Sequence, residues 1–236
     1  MLETLNQYDH SLMLWLNYDG GAFLDAFWYA VSYKFSWVPL YVAILWVFVS
    51  HARHRSLTMP SDGPSRSTAR ILIGLLITTA LIIVAADQLS SGLIKPLVQR
   101  PRPSHEPGLE ALLHYVGDYR GGRYGFVSSH AANTAALALW LCLLFRQRAL
   151  WCAMAAFYVA NCYSRIYLGV HYPGDIICGT LIGLLAAFVG YTVFRRCVAS
   201  PDERASDKAL LGDTSARPVV LTFWASVVIM LGYAVI

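Results

Sequence analysis

The chain has 236 residues, which suits one domain with or without a tail, and 57% of them are hydrophobic while only 14% are charged. A typical soluble domain is about 25% charged. This composition, with a mean hydropathy of +0.49, therefore excludes an ordinary soluble protein and indicates an integral membrane protein. The net charge of +4 is not gathered into a basic stripe interleaved with aromatic residues, which argues against a nucleic-acid-binding protein.

Residues 1–34 mix apolar and polar positions, a pattern that predicts one or two amphipathic helices lying in the membrane interface and broken near Gly20 and Gly21. A tilted spanning helix is the alternative, and it is disfavoured because Asp19 and Asp25 would be costly in lipid. The N-terminus lacks the basic region of a cleavable signal peptide, so we expect the first spanning helix to direct insertion.

Six segments farther along the chain are apolar for most of their length: 36–50, 69–91, 131–145, 149–168, 175–194 and 217–236. A membrane-spanning helix needs about 17–25 residues, so the two shortest segments require flanking residues to span. The sequence therefore predicts an all-α polytopic bundle of about six transmembrane helices, with the amphipathic helix at its N-terminus. We expect residues 1–236 to form a single domain, with a motif-bearing core at 69–195 and an extra C-terminal helix at 217–236.

Basic residues in the connections predict how the bundle is oriented. The predicted loops 51–70 and 195–217 and the turn near 146–148 carry most of the arginine and lysine, and six spans place all three on one side, which should be cytoplasmic. The predicted loop 92–130, the turn 165–174 and both chain ends then face outward. For a bacterial inner membrane, which the short, compact architecture suggests, the outward side is the periplasm.

Three short stretches on the outward side combine cations, histidines, hydroxyls and a carboxylate. They are Lys95-x6-Arg102-Pro103, Ser128-Ser129-His130 and Ser164-Arg165-x5-His171-x3-Asp175. A phosphate ester resists attack unless cations and N–H donors neutralise its oxygens, and arginine and lysine supply such charge. Lys95, Arg102 and Arg165 are the predicted phosphate-binding cations, although any one of them alone could be a snorkelling interfacial residue. Because the motifs and the topology agree, we predict one shared phosphate site.

The two histidines are the candidate catalytic groups. Asp175 follows His171 by one helical turn, so its carboxylate could fix the tautomer of the ring and leave the other nitrogen free to attack, although it could also complement the dipole of its helix. His130 begins a helix after Ser128 and could donate a proton to a leaving group. Ser128 could bind a phosphate oxygen or only cap the helix, and the N–H groups around Ser129 offer an anion site.

The three stretches resemble the K-x6-RP, PSGH and SR-x5-H-x3-D motifs of the type 2 phosphatidic acid phosphatase family, whose members are membrane lipid phosphatases. The first and third stretches match in residue type and spacing, while Val127 and Ser129 stand where the second motif has Pro and Gly. The resemblance implies metal-independent hydrolysis through a phosphohistidine, with His171 as nucleophile, Asp175 as its orienting partner and His130 as general acid. It also implies phosphate binding by Lys95, Arg102, Ser128, Ser129 and Arg165.

Four further residues are candidates for a supporting role: Asp87, Ser164, Arg100 and Arg123. Asp87 lies in an apolar helix and could hold Lys95 or Arg165 in place. The two supporting arginines could contact a second phosphate or a headgroup, or simply face solvent. We predict no metal and no cofactor. A metal site of His130, His171 and Asp175 is the competing interpretation, disfavoured because the neighbouring cations would repel a divalent ion.

We therefore expect an enzyme that hydrolyses a lipid-linked phosphomonoester or diphosphate. Substrates in the family that the chain resembles include phosphatidic acid, phosphatidylglycerol phosphate, undecaprenyl diphosphate and lipid A phosphates, and the last two suit an outward-facing bacterial site best. The alternatives are a non-catalytic protein that binds or transports a lipid phosphate, and a phosphotransferase with an acceptor other than water. The sequence leaves the oligomeric state open.

Overall fold

The computed structural model describes residues 2–58, 64–198 and 209–235, and within those ranges every long element is a helix. The α-helices are α1 (Leu2–Leu16), α2 (Gly21–Ser32), α3 (Val38–Thr58), α4 (Pro64–Asp87), α5 (Lys95–Val98), α6 (Ser129–Phe145), α7 (Arg148–Tyr167), α8 (Pro173–Val198) and α9 (Arg217–Val235). A 3₁₀ turn, Lys34–Trp37, leads into α3, and a π-helical segment, Gln88–Ile94, joins α4 to α5.

Six long helices, α3, α4, α6, α7, α8 and α9, form the bundle. Among the described residues, four segments are long and apolar enough to cross a membrane by length and composition, namely Lys34–His54, Ala69–Val98, Pro173–Val198 and Arg217–Val235. The other two helices are shorter or less apolar, and their inner faces lie in the core. Large apolar side chains such as Leu81, Leu185 and Val228 point outward from the bundle, as lipid-facing residues do. The prediction of an all-α membrane bundle is confirmed.

The N-terminal segment forms two short helices, α1 and α2, separated at residues 17–20 as predicted. One face of α1 exposes Leu5, Tyr8, Leu12 and Trp15, whereas Asp9 and Met13 are buried on the opposite face. An exposed apolar stripe of this kind suits a helix that lies in the membrane interface. The buried face packs against the ends of α7 and α8.

The helices extend farther into the connections than the hydropathy predicts. The predicted loop 51–70 is wrong in extent, because α3 continues to Thr58 and α4 begins at Pro64. The predicted loop 92–130 also begins too early, since the π-helical segment and α5 carry the helix to Val98. Hydropathy falls where charged side chains reach the headgroups, but the backbone continues its helical hydrogen bonds there. Residues 59–63 and 199–208, within the predicted charged loops, lie outside the described residues.

A close backbone contact joins α6 to α8. A Cβ atom on Gly179 would lie 2.3 Å from the carbonyl oxygen of Ser128, and one on Gly183 would lie 2.1 Å from that of Ala132. Small residues at this four-residue spacing let two membrane helices approach backbone to backbone. The contact holds the first turn of α6 beside the first turn of α8, where two of the polar stretches begin.

We predict that Gly183→Ala destabilises the bundle, because the added methyl group would push the α8 backbone away from α6. Overpacking of this kind costs about 1–3 kcal/mol. Thermal unfolding in detergent measures the effect, and the midpoint should fall well below that of the unaltered protein. Gly232→Ala on α9 is the matched control, since a Cβ there meets nothing within 4 Å. Equal midpoints for the two variants would contradict the tight contact.

Candidate active site

The three polar stretches meet at one end of the bundle. Lys95 follows the π-helical segment, a local irregularity that is common at functional sites. Ser128 precedes α6, Arg165 lies in the last turn of α7, and Asp175 lies in the first turn of α8. His171 lies in the short connection between α7 and α8. The convergence that the sequence predicts is therefore present in the fold.

His171 is a buried, neutral imidazole surrounded by cations. Its side chain is 1% exposed, and burial lowers its pKa well below 6.5. The positive charges of Arg102, Arg165 and Lys95 lower the pKa further, in that order of effect. A neutral imidazole keeps a lone pair on one ring nitrogen, so His171 is ready to act as a nucleophile at neutral pH.

Asp175 forms a hydrogen bond that orients the ring of His171. Its Oδ2 lies 3.2 Å from Nδ1 of His171 and also accepts a hydrogen bond of 3.1 Å from the backbone N–H of Tyr172. Because a carboxylate accepts, the hydrogen bond places the ring proton on Nδ1 and leaves Nε2 with the lone pair. Asp175 itself is fully buried. This is the geometry that the four-residue spacing predicts.

Arg165 is a buried cation that has no counter-ion among the described residues. It is 3% exposed, and its guanidinium donates to the Ser32 hydroxyl and, from Nη2, to the Tyr119 hydroxyl at 3.0 Å. No carboxylate pairs with it among the described residues, and its Nε is buried without a partner. A buried charge is costly unless it is paired. A buried guanidinium of this kind has the charge and a free donor that suit the binding of an anion such as phosphate.

Arg102 is fixed by a strand-like pairing of its loop. Its backbone N–H donates to the carbonyl of Arg123 at 3.0 Å, and Gly125 N–H donates to the carbonyl of Arg100 at 2.9 Å. Its side chain donates from Nε to the Tyr124 carbonyl at 3.1 Å. Burial, and then Arg165, lower the pKa of Arg102 to about 10, so the group stays charged at neutral pH.

The start of α6 is ordered by Ser128. The buried Ser128 hydroxyl accepts from Ala131 N–H at 3.4 Å and so caps the helix. Ser129 is the first residue of α6, and in the described chain only Gln99 and Arg146 have a positive φ without being glycine. Serine in place of the family glycine therefore demands no left-handed backbone here. The His130 ring contacts the backbone of Ser32, so α2 also borders the site.

The supporting residues divide into those at the site and those beside it. Asp87 is near enough to Lys95 to act on it electrostatically, but its described hydrogen bond, of 3.3 Å, comes from Asn133 on α6. Ser164 donates to the Asn161 carbonyl within its own helix. Arg123 is exposed and stacks near Tyr124, whereas Arg100 forms an ion pair with Asp175. Sequence reasoning missed Ser32 and Tyr119, because neither lies in a motif.

Comparison with known proteins fits this geometry. The sequence model of the PAP2 superfamily matches residues 69–199. The chain belongs to the PAP2 superfamily. It is 34% identical over 200 residues to the lipid A 4'-phosphatase of Bacteroides thetaiotaomicron, covering 84% of this chain and 82% of that protein. It is also 34% identical over 193 residues to the lipid A 4'-phosphatase of Porphyromonas gingivalis, covering 82% of this chain and 75% of that protein.

A solved structure shares the fold. The crystal structure of a transmembrane PAP2-type phosphatidylglycerolphosphate phosphatase from Bacillus subtilis aligns with a TM-score of 0.57 at 17% sequence identity. The alignment covers 82% of this chain and 88% of the other. The family model and the two relatives confirm the family resemblance, and this structure confirms the membrane fold that the resemblance implies.

We predict that Arg165→Lys weakens the binding of inorganic phosphate about tenfold or more, because an ammonium cannot reproduce two parallel guanidinium contacts. Calorimetric titration of the protein in detergent measures the change. Arg148→Lys, at an exposed position on the opposite end of the bundle, is the control and should bind as the unaltered protein does. If the two variants bind phosphate equally well, Arg165 does not contact the anion.

Proposed function

We propose that this chain is an integral membrane phosphatase that removes a phosphate group from a lipid, with a lipid A phosphate as its substrate class. The observation that carries the proposal is the neutral His171, held by Asp175, beside a buried Arg165 with no counter-ion in the part of the chain that the structure describes. A binding or transport protein would need the cations but not the oriented imidazole. The names of the relatives, with their coverage of most of the chain, support the lipid A class.

An apolar cavity supports a lipid substrate over a soluble ester. The cavity has a volume of about 490 Å³ and lies between α3, α4 and α6. Its wall includes Asn133 and Thr134, which follow His130 by about one helical turn, and otherwise mostly apolar side chains such as Ile44 and Leu76. Lys34 also lines the cavity. A lipid whose phosphate reaches the cations could therefore place a hydrocarbon chain in this space.

In the first step, Nε2 of His171 attacks phosphorus. A P–N bond forms as the bond from phosphorus to the lipid oxygen breaks, and that oxygen takes a proton from the cationic form of His130, which the negative charge of the bound phosphate favours. Lys95, Arg102 and Arg165 neutralise the charge that spreads over the phosphoryl oxygens. Asp175 stabilises the positive ring that results. The surrounding cations oppose a divalent metal at this position, so the residues themselves supply the electrostatic stabilisation.

In the second step, water attacks the phosphohistidine. His130, now neutral, takes a proton from the water as the new P–O bond forms and the P–N bond breaks. Inorganic phosphate leaves, and His171 returns to its neutral state. A phosphotransferase would use another acceptor here, and the measurement of free phosphate separates the two outcomes.

We predict that the protein in detergent with EDTA releases inorganic phosphate from lipid A phosphates faster than from undecaprenyl diphosphate, phosphatidylglycerol phosphate or phosphatidic acid. His171→Ala should abolish release, because the nucleophile is removed. His105→Ala, at an exposed loop position, is the control and should keep full activity.

Each part of this proposal has its own contrary result. No phosphate release from any of these lipids would overturn the phosphatase function. Activity that disappears with EDTA and returns with a metal would overturn the metal-independent mechanism. Release that His171→Ala leaves unchanged would remove His171 as the nucleophile, and preference for another lipid would overturn the lipid A class.

The proposal includes an outward-facing site in the bacterial inner membrane. With all five cysteines replaced by serine, we predict that Asp118→Cys reacts with a membrane-impermeant thiol reagent in spheroplasts, because Asp118 is exposed in the loop that carries Arg102. Ala149→Cys, exposed at the opposite end of the bundle, should react only after lysis. The reverse pattern would place the site on the cytoplasmic side.

A further inference from the structure

The N-terminal helix α1 reaches the segment that carries the catalytic pair. Asp9 is buried, and its Oδ1 accepts a hydrogen bond of 2.7 Å from the backbone N–H of Gly174, next to Asp175. The ring of His10 stacks on that of Tyr172, with 5.2 Å between centroids and 14° between planes. Helix α1 lies outside residues 69–199, which match the family. A part of the chain beyond the family motifs therefore contacts the residue that follows His171 and the residue that precedes Asp175.

Arg100 connects α1 to the catalytic carboxylate. Its Nη1 lies 2.8 Å from Oδ2 of Asp9 and 3.1 Å from Oδ1 of Asp175. The carbon at the centre of its guanidinium lies 3.9 Å from the ring centroid of Tyr172. One nitrogen of Arg100 therefore bridges two carboxylates, while an aromatic face packs against the cation. Arg100 also belongs to the loop that fixes Arg102, because its carbonyl accepts from Gly125 N–H.

The oxygens of Asp175 are divided between these partners. Oδ2 faces His171 and accepts from Tyr172 N–H, and Oδ1 faces Arg100. Because Asp175 is fully buried, loss of the Arg100 contact would leave a buried oxygen with no partner among the described residues. The carboxylate would then rotate or take up a proton, and either change would release the Nδ1 proton of His171 from its fixed direction.

Asp9 balances the charge of Arg100. Two carboxylates and one guanidinium carry one negative charge together, which is the charge of Asp175 alone. The electrostatic partner of the His171 ring therefore stays anionic even though a cation touches it, so the positive ring formed on phosphorylation is still stabilised. Gly174 permits this arrangement, because a Cβ there would lie 2.7 Å from Oδ2 of Asp9.

We propose that Asp9 and Arg100 are positioning residues, which orient Asp175 and through it His171 for attack on the phosphate. The inference rests on the proposed function, since it assigns His171 as the nucleophile. The rival role for Arg100 is direct contact with the substrate phosphate, for which its buried and unpartnered Nη2 would be the donor. The two roles differ in what they do to KM.

The first test is steady-state kinetics of Arg100→Lys and Asp9→Asn on the lipid phosphate that the unaltered protein hydrolyses best. A misdirected nucleophile costs up to about 10²-fold, so kcat should fall between tenfold and a hundredfold while KM stays within twofold. The double variant should lose little more than Arg100→Lys alone, because both residues act through Asp175. Arg120→Lys and Glu3→Gln are the matched controls, in the same loop and the same helix, and should keep kcat.

The second test needs no activity. The ¹⁵N shifts of the histidine rings, with His171 assigned by its loss in His171→Gln, report the ring tautomer. We expect a single Nδ1–H form in the unaltered protein and a mixture or a protonated ring in both variants. If the unaltered protein releases no phosphate, the proposed function fails, while these shifts still decide the inference.

Two results would overturn the positioning role. A raised KM with unchanged kcat in Arg100→Lys would assign Arg100 to phosphate binding. Unchanged ¹⁵N shifts in both folded variants would show that His171 keeps its tautomer without the Asp9–Arg100 contact. If Arg100→Lys does not yield folded protein, Asp9→Asn decides alone, because its amide oxygen can still accept from Gly174 N–H.

Discussion

The contact between α6 and α8 is the constraint on which the site depends. Gly179 and Gly183 let the two backbones touch, and Ser128 N–H donates to the Asp175 carbonyl at 3.0 Å across the same contact. This contact between α6 and α8 fixes the position of His130, at the start of α6, relative to the His171–Asp175 turn, at the start of α8. A transfer reaction with a nucleophile on one side of phosphorus and an acid on the other requires that separation to be held closely. Packing through longer side chains would fix this separation less closely, since such side chains can adopt several rotamers.

Charge is distributed unevenly around the contact between α6 and α8. Lys95, Arg102 and Arg165 crowd the side where the phosphate is proposed to lie, and among the described residues no carboxylate pairs with Arg165. The negative charge sits behind His171, where Asp175 shares Arg100 with Asp9. A carboxylate that turned toward the cations would neutralise the anion site and repel a phosphate. The hydrogen bonds of Asp175 keep its carboxylate turned away from the cations. They therefore preserve both the orientation of the nucleophile and the cationic character of the phosphate site.

The motif residues could be predicted from the sequence because their chemistry is local. The four-residue step from His171 to Asp175 is one helical turn, and Ser128 caps the helix that carries His130. Hydropathy places all three stretches at one membrane face. Contacts from outside the motifs could not be predicted. Ser32 lies 133 residues from Arg165 in the sequence and Asp9 lies 165 residues from Gly174, and nothing in their local sequence marks them. The Gly179-x3-Gly183 spacing is apparent in the sequence, but the sequence does not indicate which helix packs against it.

The helix ends are predicted wrongly for a different reason, since hydropathy measures where lipid contact stops rather than where helical hydrogen bonding stops.

The family region contains the residues proposed to react with the phosphate, whereas the cavity proposed for the lipid is shared between that region and the N-terminal segment. Residues 69–199 contain the cations and both histidines, which are the groups proposed to bind and attack the phosphate. The apolar cavity beside His130 is walled on one side by α3 and bordered by Lys34, both outside that region. The space proposed for a hydrocarbon chain is therefore lined partly by residues outside the family region and partly by residues of α4, α6 and α7 within it. Relatives that share the three motifs but differ in α3 would present the same phosphate site with a different cavity wall for the rest of the lipid. We therefore infer that the motifs determine the reaction, while α3 contributes to the choice of lipid.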